Sequence, residues 1–182
     1  MVFSRLQLSE RNLVLTGYIE PNKPRIGRQV AQRLNKPFVD VSARIEEQLG
    51  DDIDTLRATY GERHLKTVEA EIMEEVLLRR GAVIRVNGST LMHSDHYAAL
   101  QQTSIMVCLV ARLDSILQRL HLTLGARYHN PAERGTELGH LRREWAVRQR
   151  DNLYELDMTY KSEAAMVDDI VELWQNLAVQ RA

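Results

Sequence analysis

The chain has one cysteine, no excess of basic charge and no long apolar run, and each absence closes off a class of protein. Cys108 alone cannot build an internal disulfide framework, which fits a reducing cytosol. It sits in the apolar run "SIMVCLVA", where a free thiol reads as core packing rather than as a nucleophile. A net charge of -1 offers no basic surface for nucleic acid or an anionic membrane, so neither is expected as a partner. No apolar stretch approaches the roughly 18 residues that span a bilayer. The start, "MVFSRLQLSERN", lacks the continuous apolar core of a signal peptide, so a cytoplasmic protein is expected. Zinc motifs, a dinucleotide fingerprint, internal repeats and low-complexity tracts are all missing. "HSDH" places His93 and His96 on either side of Asp95 but offers no third ligand, so no metal site is expected.

What is present suits a single globular domain over residues 1–182, with 44% apolar and 27% charged residues. Short apolar runs alternate with longer amphipathic ones. "NLVLTG" (12–17), "FVDV" (38–41), "AVIRVN" (82–87) and "SIMVCLVA" (104–111) read as buried strands, and "ELDMTYK" (155–161) as a short fifth. Helices are expected over about 25–34, in "SARIEEQLG" and "DIDTLRATYG" (each closed by a glycine), in "ERHLKTVEAEIMEEVLLRRG", in "RLDSILQRLHLTL" and in "AAMVDDIVELWQNLAV". Such alternation implies βαβ units: a mostly parallel sheet with helices on both faces. "GARYHNPAERGTELG" (125–139), rich in glycine and poor in apolar residues, reads as a surface loop or lid.

One stretch carries chemistry. "LVLTGYIEPNKPRIGRQ" (13–29) runs from strand through a turn with one lysine into a helix, the layout of the phosphate-binding loop G-x-x-x-x-G-K-[ST]. Asn22 stands in place of the second glycine and Pro24 in place of the Ser or Thr. Pro21 and Pro24 have no N–H to offer phosphate, Glu20 adds a negative charge, and Pro24 removes the hydroxyl that would hold Mg²⁺. Pro24 suits the first turn of a helix, and Gly27 suits close packing of that helix on the sheet.

With this order of elements, the sequence resembles the shikimate kinase family over about residues 12–174. Gly17, Lys23, Gly27 and Arg28 fall in register with that family's phosphate loop; "KPFVDVSARIEE", "YGERHLKTVEAE", "GAVIRVNGS", "ARYHN" and "RDNLYEL" match its later motifs in order. The resemblance implies a three-layer α/β/α P-loop-kinase-like domain with a central parallel sheet of about five strands and a lid region. It also implies roles. Lys23 would reach the transferred phosphate. Asp40 would hold the Mg²⁺ shell, and Ser42 stands where the family has a second carboxylate for substrate hydroxyls. Arg150 and Lys66 would grip a substrate carboxylate, Lys66 replacing an arginine, with Glu69 in support. Asn87, Gly88 and Ser89 replace a three-glycine turn, and Arg127 is the lid arginine.

From the residues alone, Asp40 also ends a strand, Ser42 suits a helix N-cap, Glu69 suits a solvated helix face, Arg127 a solvated loop, and Arg150 an ion pair with Asp151 or Glu155. The concentrated departures around one site favour a shikimate-kinase-like protein that has lost catalysis. It would act by binding a small carboxylated ligand or a partner, with no cofactor. The alternatives are an active ATP-dependent small-molecule kinase using Mg²⁺, Lys23, Asp40 and Arg127, or a purely structural interaction module.

Overall fold

The computed structural model describes residues 10–17, 25–93 and 95–179. Five parallel strands form one sheet in the order β2-β3-β1-β4-β5, comprising β1 (Asn12–Gly17), β2 (Phe38–Asp40), β3 (Val83–Arg85), β4 (Ser104–Val110) and β5 (Leu153–Asp157). β1 is flanked on one side by β3, with Leu13 opposite Val83, and on the other by β4, with Leu13 opposite Ile105. The direction of strand addition changes at β1. In open parallel sheets, that is where ligands bind, beyond the carboxyl ends of the strands.

Period-two alternation sends the strand side chains to two separate cores. Leu13, Leu15, Ile105, Val107 and Leu109 pack against α1 (Arg25–Arg33) and α8 (Glu163–Val179) through Ile26, Val30, Ile170 and Trp174. Val14, Ile84, Met106 and Cys108 face the opposite layer, which includes α2 (Val41–Leu49) and α3 (Ile53–Leu77) with Ile45, Leu56, Ile72 and Met73. The expected three-layer arrangement is therefore present. Between β3 and β4 lie α4 (Gly88–Met92) and α5 (His96–Thr103), which the apolar periodicity does not announce. The two helices expected before and after Gly61 are both present within α3, which is broken at Gly61, whose backbone (φ 80°, ψ 162°) is not helical. Gly50 closes α2 in the left-handed region (φ 81°), as its position suggests. β5 starts two residues before the expected segment, because Met106–Val110 of β4 pairs with residues 153–157.

Cys108 is fully buried, and burial pushes its thiol up to about 12. At pH 8 only about one thiol in 10⁴ would then be ionised, and the thiolate is the reactive species. Iodoacetamide at pH 8 should label Cys108 only in denaturant; alkylation of the native protein within minutes would contradict this packing of β4.

The segment 125–139 is not a loop. A 3-10 turn, Gly125–His129, leads into α7 (Pro131–Trp145), with α6 (Leu113–Leu124) before them. Asn130 caps α7 by accepting from Ala132 N at 3.0 Å, and Pro131 occupies the first turn, where a missing N–H costs nothing. Leu141 and Leu138 hold α7 against Ile116 and Leu120 of α6. Two glycines and a sparse apolar stripe hid this helix; tertiary contact with α6 supplies what local propensity does not.

Candidate active site

The phosphate-loop residues Glu20, Pro21, Asn22, Lys23 and Pro24 lie outside the described residues. Their flanks are described. Gly17 ends β1 at φ 89°, where a Cβ would stand 2.4 Å from Leu109 O. Gly27, in the first turn of α1, sits against the Phe38 ring, which a Cβ would meet at 2.6 Å; this is the close helix–sheet approach expected of it.

At the carboxyl ends of β2 and β3 the polar candidates converge. Asp40 is buried, and its two carboxylate oxygens accept from Arg85 Nη1 at 3.1 and 3.0 Å. Oδ1 also accepts from Ser42 N at 3.0 Å and Ala43 N at 3.3 Å. Asp40, not Ser42, is therefore the N-cap of α2: the helix begins at Val41, two residues earlier than a Ser42 cap implies, and a carboxylate at its start is favoured by the helix dipole. Ser42 is freed from capping, and its Oγ accepts from Asn87 Nδ2 at 3.2 Å.

The turn after β3 is occupied from within the chain. Gly88 N donates to Glu144 Oε2 at 2.5 Å, and Ser89 Oγ donates to Glu144 Oε1 at 2.9 Å, with Ser89 N at 3.5 Å. Gly88 is obligatory here, because a Cβ would fall 1.9 Å from Glu144 O. Burial pushes the Glu144 carboxyl above the usual carboxylate range, against the pull of the Gly88 and Ser89 donors and of Arg85. Thr90 donates its hydroxyl to Glu69 Oε1, so Glu69 turns inward rather than lying on a solvated face.

The cationic candidates lie apart from this network. Lys66 is exposed, one turn before Glu69 on α3. Arg127 is exposed and paired with Glu133 at 2.5 Å. Arg150 is exposed, its guanidinium 5.9 Å from the ring centroid of Tyr97, whose hydroxyl donates to Asp151 O at 2.8 Å. Neither ion pair weighed for Arg150, with Asp151 or with Glu155, is formed. Arg148 takes Glu155 through two bonds of 2.6 and 2.8 Å.

The structure thus joins Asp40, Ser42, Asn87 and Gly88 along one wall, with Glu69 linked to the same short helix through Thr90. It adds Arg85, Thr90 and Glu144, which sequence reasoning missed, and gives Ser89 of the altered turn a partner in Glu144. Glu144 carried no signal, because it follows a stretch whose composition reads as a polar loop. Three buried polar groups stand unpartnered among the described residues: Thr16 Oγ1, one residue from the end of β1, Ser104 Oγ, at the start of β4, and Trp145 Nε1, next to Glu144. Buried groups of this kind are normally satisfied, and they suit a polar ligand or water.

A family model described as "Shikimate kinase" matches residues 22–175. A shikimate kinase of Thermodesulfovibrio yellowstonii is 27% identical over 166 residues, covering 89% of this chain and 91% of the relative. One from Thioalkalivibrio sulfidiphilus is 32% identical over 143 residues, covering 79% and 73%. Among solved structures, shikimate kinase from Bacteroides thetaiotaomicron superposes with TM-score 0.72 at 22% identity, covering 92% of this chain and 97% of that one. Shikimate kinase from Acinetobacter baumannii in complex with shikimate gives TM-score 0.70 at 21% identity, covering 95% of each chain. These likenesses confirm the fold. They also correct the expectation of a domain that has lost catalysis, because the relatives over nearly the whole chain are named as kinases and nothing in the comparisons marks an inactive branch. No helix among the described residues is long and apolar enough to cross a membrane.

Proposed function

Because this chain belongs to the shikimate kinase family, we propose that it is an active ATP-dependent kinase that phosphorylates a hydroxyl of a small carboxylated acceptor of the shikimate type, in the cytoplasm. The family match across residues 22–175 carries the reading. The polar wall from Asp40 to Glu144, at the carboxyl ends of the strands, is consistent with it.

In this reading Lys23 contacts the transferred phosphate, and Arg127 swings from Glu133 to the same group. Breaking an exposed pair of that kind costs only about 0.2–1 kcal/mol, so the movement is inexpensive. Arg150, which no carboxylate claims among the described residues, meets the acceptor carboxylate with Lys66. Asn87, Gly88, Ser42 and Glu69 shape the acceptor side.

Mg²⁺ accompanying a nucleoside triphosphate takes one or two carboxylates beside phosphate and water oxygens. Asp40, the carboxylate the family pattern offers, is saturated by Arg85 and the α2 amides, and no group of three or more His, Cys, Asp or Glu among the described residues suits a metal. These donors do not fit a protein-held magnesium ion.

The test is ADP release from ATP in the presence of shikimate. Turnover is expected, with kcat reduced about 10²-fold or more in Lys23→Ala, the range for losing one preorganised donor to developing charge. Arg150→Ala should raise the acceptor KM about 10-fold or more, the worth of a charge-assisted contact. Absence of acceptor-dependent ADP release from the wild-type protein would sink the reading.

A further inference from the structure

We propose that Glu144 supplies the acceptor-side carboxylate that position 42 lacks, receiving the proton of the acceptor hydroxyl as it is phosphorylated. The inference rests on the kinase reading and deepens it. Ser42 is neutral, and its hydroxyl already accepts from Asn87. A serine hydroxyl cannot act as a carboxylate base at neutral pH. One residue along the chain from Asn87, Gly88 donates to Glu144. A carboxylate has therefore entered the same wall, carried by α7 rather than by α2.

Its geometry suits the task. Glu144 closes the last turn of α7, whose Leu141 is buried against α6, so the carboxylate is delivered by a packed element. Gly88 permits the close approach, since any Cβ there would collide with Glu144 O. Oε2 accepts from Gly88 N; Oε1 accepts from Ser89 Oγ and, more distantly, Ser89 N. A carboxylate offers about four lone-pair sites, so a direction remains for an incoming hydroxyl. The titratable groups that face it are Arg85 of β3, which is charged, and Cys108 of β4, a neutral thiol at ordinary pH. Burial lifts Glu144 toward the range where a base works best near neutral pH.

The step balances as follows. The acceptor oxygen forms a bond to the γ-phosphorus of the nucleoside triphosphate. The bond from that phosphorus to the β–γ bridging oxygen breaks, and its electron pair leaves with the diphosphate. The hydroxyl proton passes to Glu144, which later releases it to water.

The test compares kcat and acceptor KM for the wild type, Glu144→Gln and the double variant Ser42→Asp with Glu144→Gln. A general base contributes about 10²–10⁴-fold, so Glu144→Gln should lose about 10²-fold or more in kcat with acceptor KM within about 3-fold. An aspartate at position 42 keeps an acceptor for Asn87 and restores a carboxylate to the wall, so the double variant should regain about 10-fold or more. A purely structural role in docking α7 would not be rescued in this way. Glu144→Gln within about 3-fold of wild-type kcat, or a double variant no faster than the single, overturns the inference while leaving the kinase reading intact. If Glu144→Gln does not fold, Glu144→Asp carries the test: the carboxylate retreats by one methylene, kcat should fall about 10-fold or more, and an unchanged kcat overturns the proposal. A wild-type protein without acceptor-dependent turnover removes the kinase reading and this inference with it.

Discussion

Arg85→Met should be the most destabilising single change at this wall, costing about 3–5 kcal/mol in a urea titration. The side chains of Asp40 and Arg85 retain only 5% and 12% of their exposure, and one guanidinium nitrogen reaches both carboxylate oxygens. Removing the cation leaves a buried carboxylate whose remaining partners are two backbone N–H groups of α2. Those donors do not offset the desolvation of a full charge. The double change Asp40→Asn with Arg85→Met should recover much of the loss, because the asparagine oxygen still caps α2 and no charge remains buried. A cost below about 1 kcal/mol for Arg85→Met would mean that Asp40 reaches water, and the account of the wall would fail with it.

The second large effect is expected at Gly88. An alanine Cβ would lie 1.9 Å from Glu144 O and 2.8 Å from Glu144 C, both backbone atoms that cannot swing away as a side chain can. Either α7 or α4 must shift, and the Gly88 N to Glu144 bond lengthens or breaks. Overpacking typically costs about 1–3 kcal/mol, and backbone-on-backbone contact belongs at the upper end. Gly88→Ala should therefore lose about 3 kcal/mol of stability, and proteolysis in α7 should become faster. Gly135→Ala is the control within the same helix. Nothing lies within 4 Å of the added methyl, so the change should be neutral or stabilise by up to about 1 kcal/mol. Equal behaviour of the two variants would show that α7 does not rest on Gly88.

Around residues 20–24, 42, 66 and 87–89 the sequence departs from a kinase pattern, and weighing each position against its family counterpart suggested a dead site. A missing group need not be replaced at its own position in the chain. The comparisons with kinases over most of the chain oppose the reading of a dead site. The fold also shows how a carboxylate can approach the same wall from a different element.

Much of the architecture was legible in the residues. The strands of a parallel sheet covered on both faces are short continuous apolar runs, and the helices α1, α6 and α8 carry clear amphipathic stripes. Asp40, Ser42, Asn87 and Gly88 lie at or just past strand ends, so local pattern alone places them at the carboxyl edge of the sheet. Other features depended on tertiary contact. Arg85 reaches Asp40 across 45 residues, and Glu144 reaches Gly88 across 56. Such pairs leave no periodic trace, because neither partner's type or spacing depends on the other's. Residues 131–145 are helical because Asn130 caps them and α6 receives Leu138 and Leu141, whereas two glycines and scattered charges make their intrinsic preference weak. Local chemistry determined the layers and the carboxyl edge of the sheet where the polar residues gather. Packing of α7 onto that edge decided which carboxylate stands there, because burial and hydrogen-bond satisfaction belong to the assembled chain rather than to any one segment.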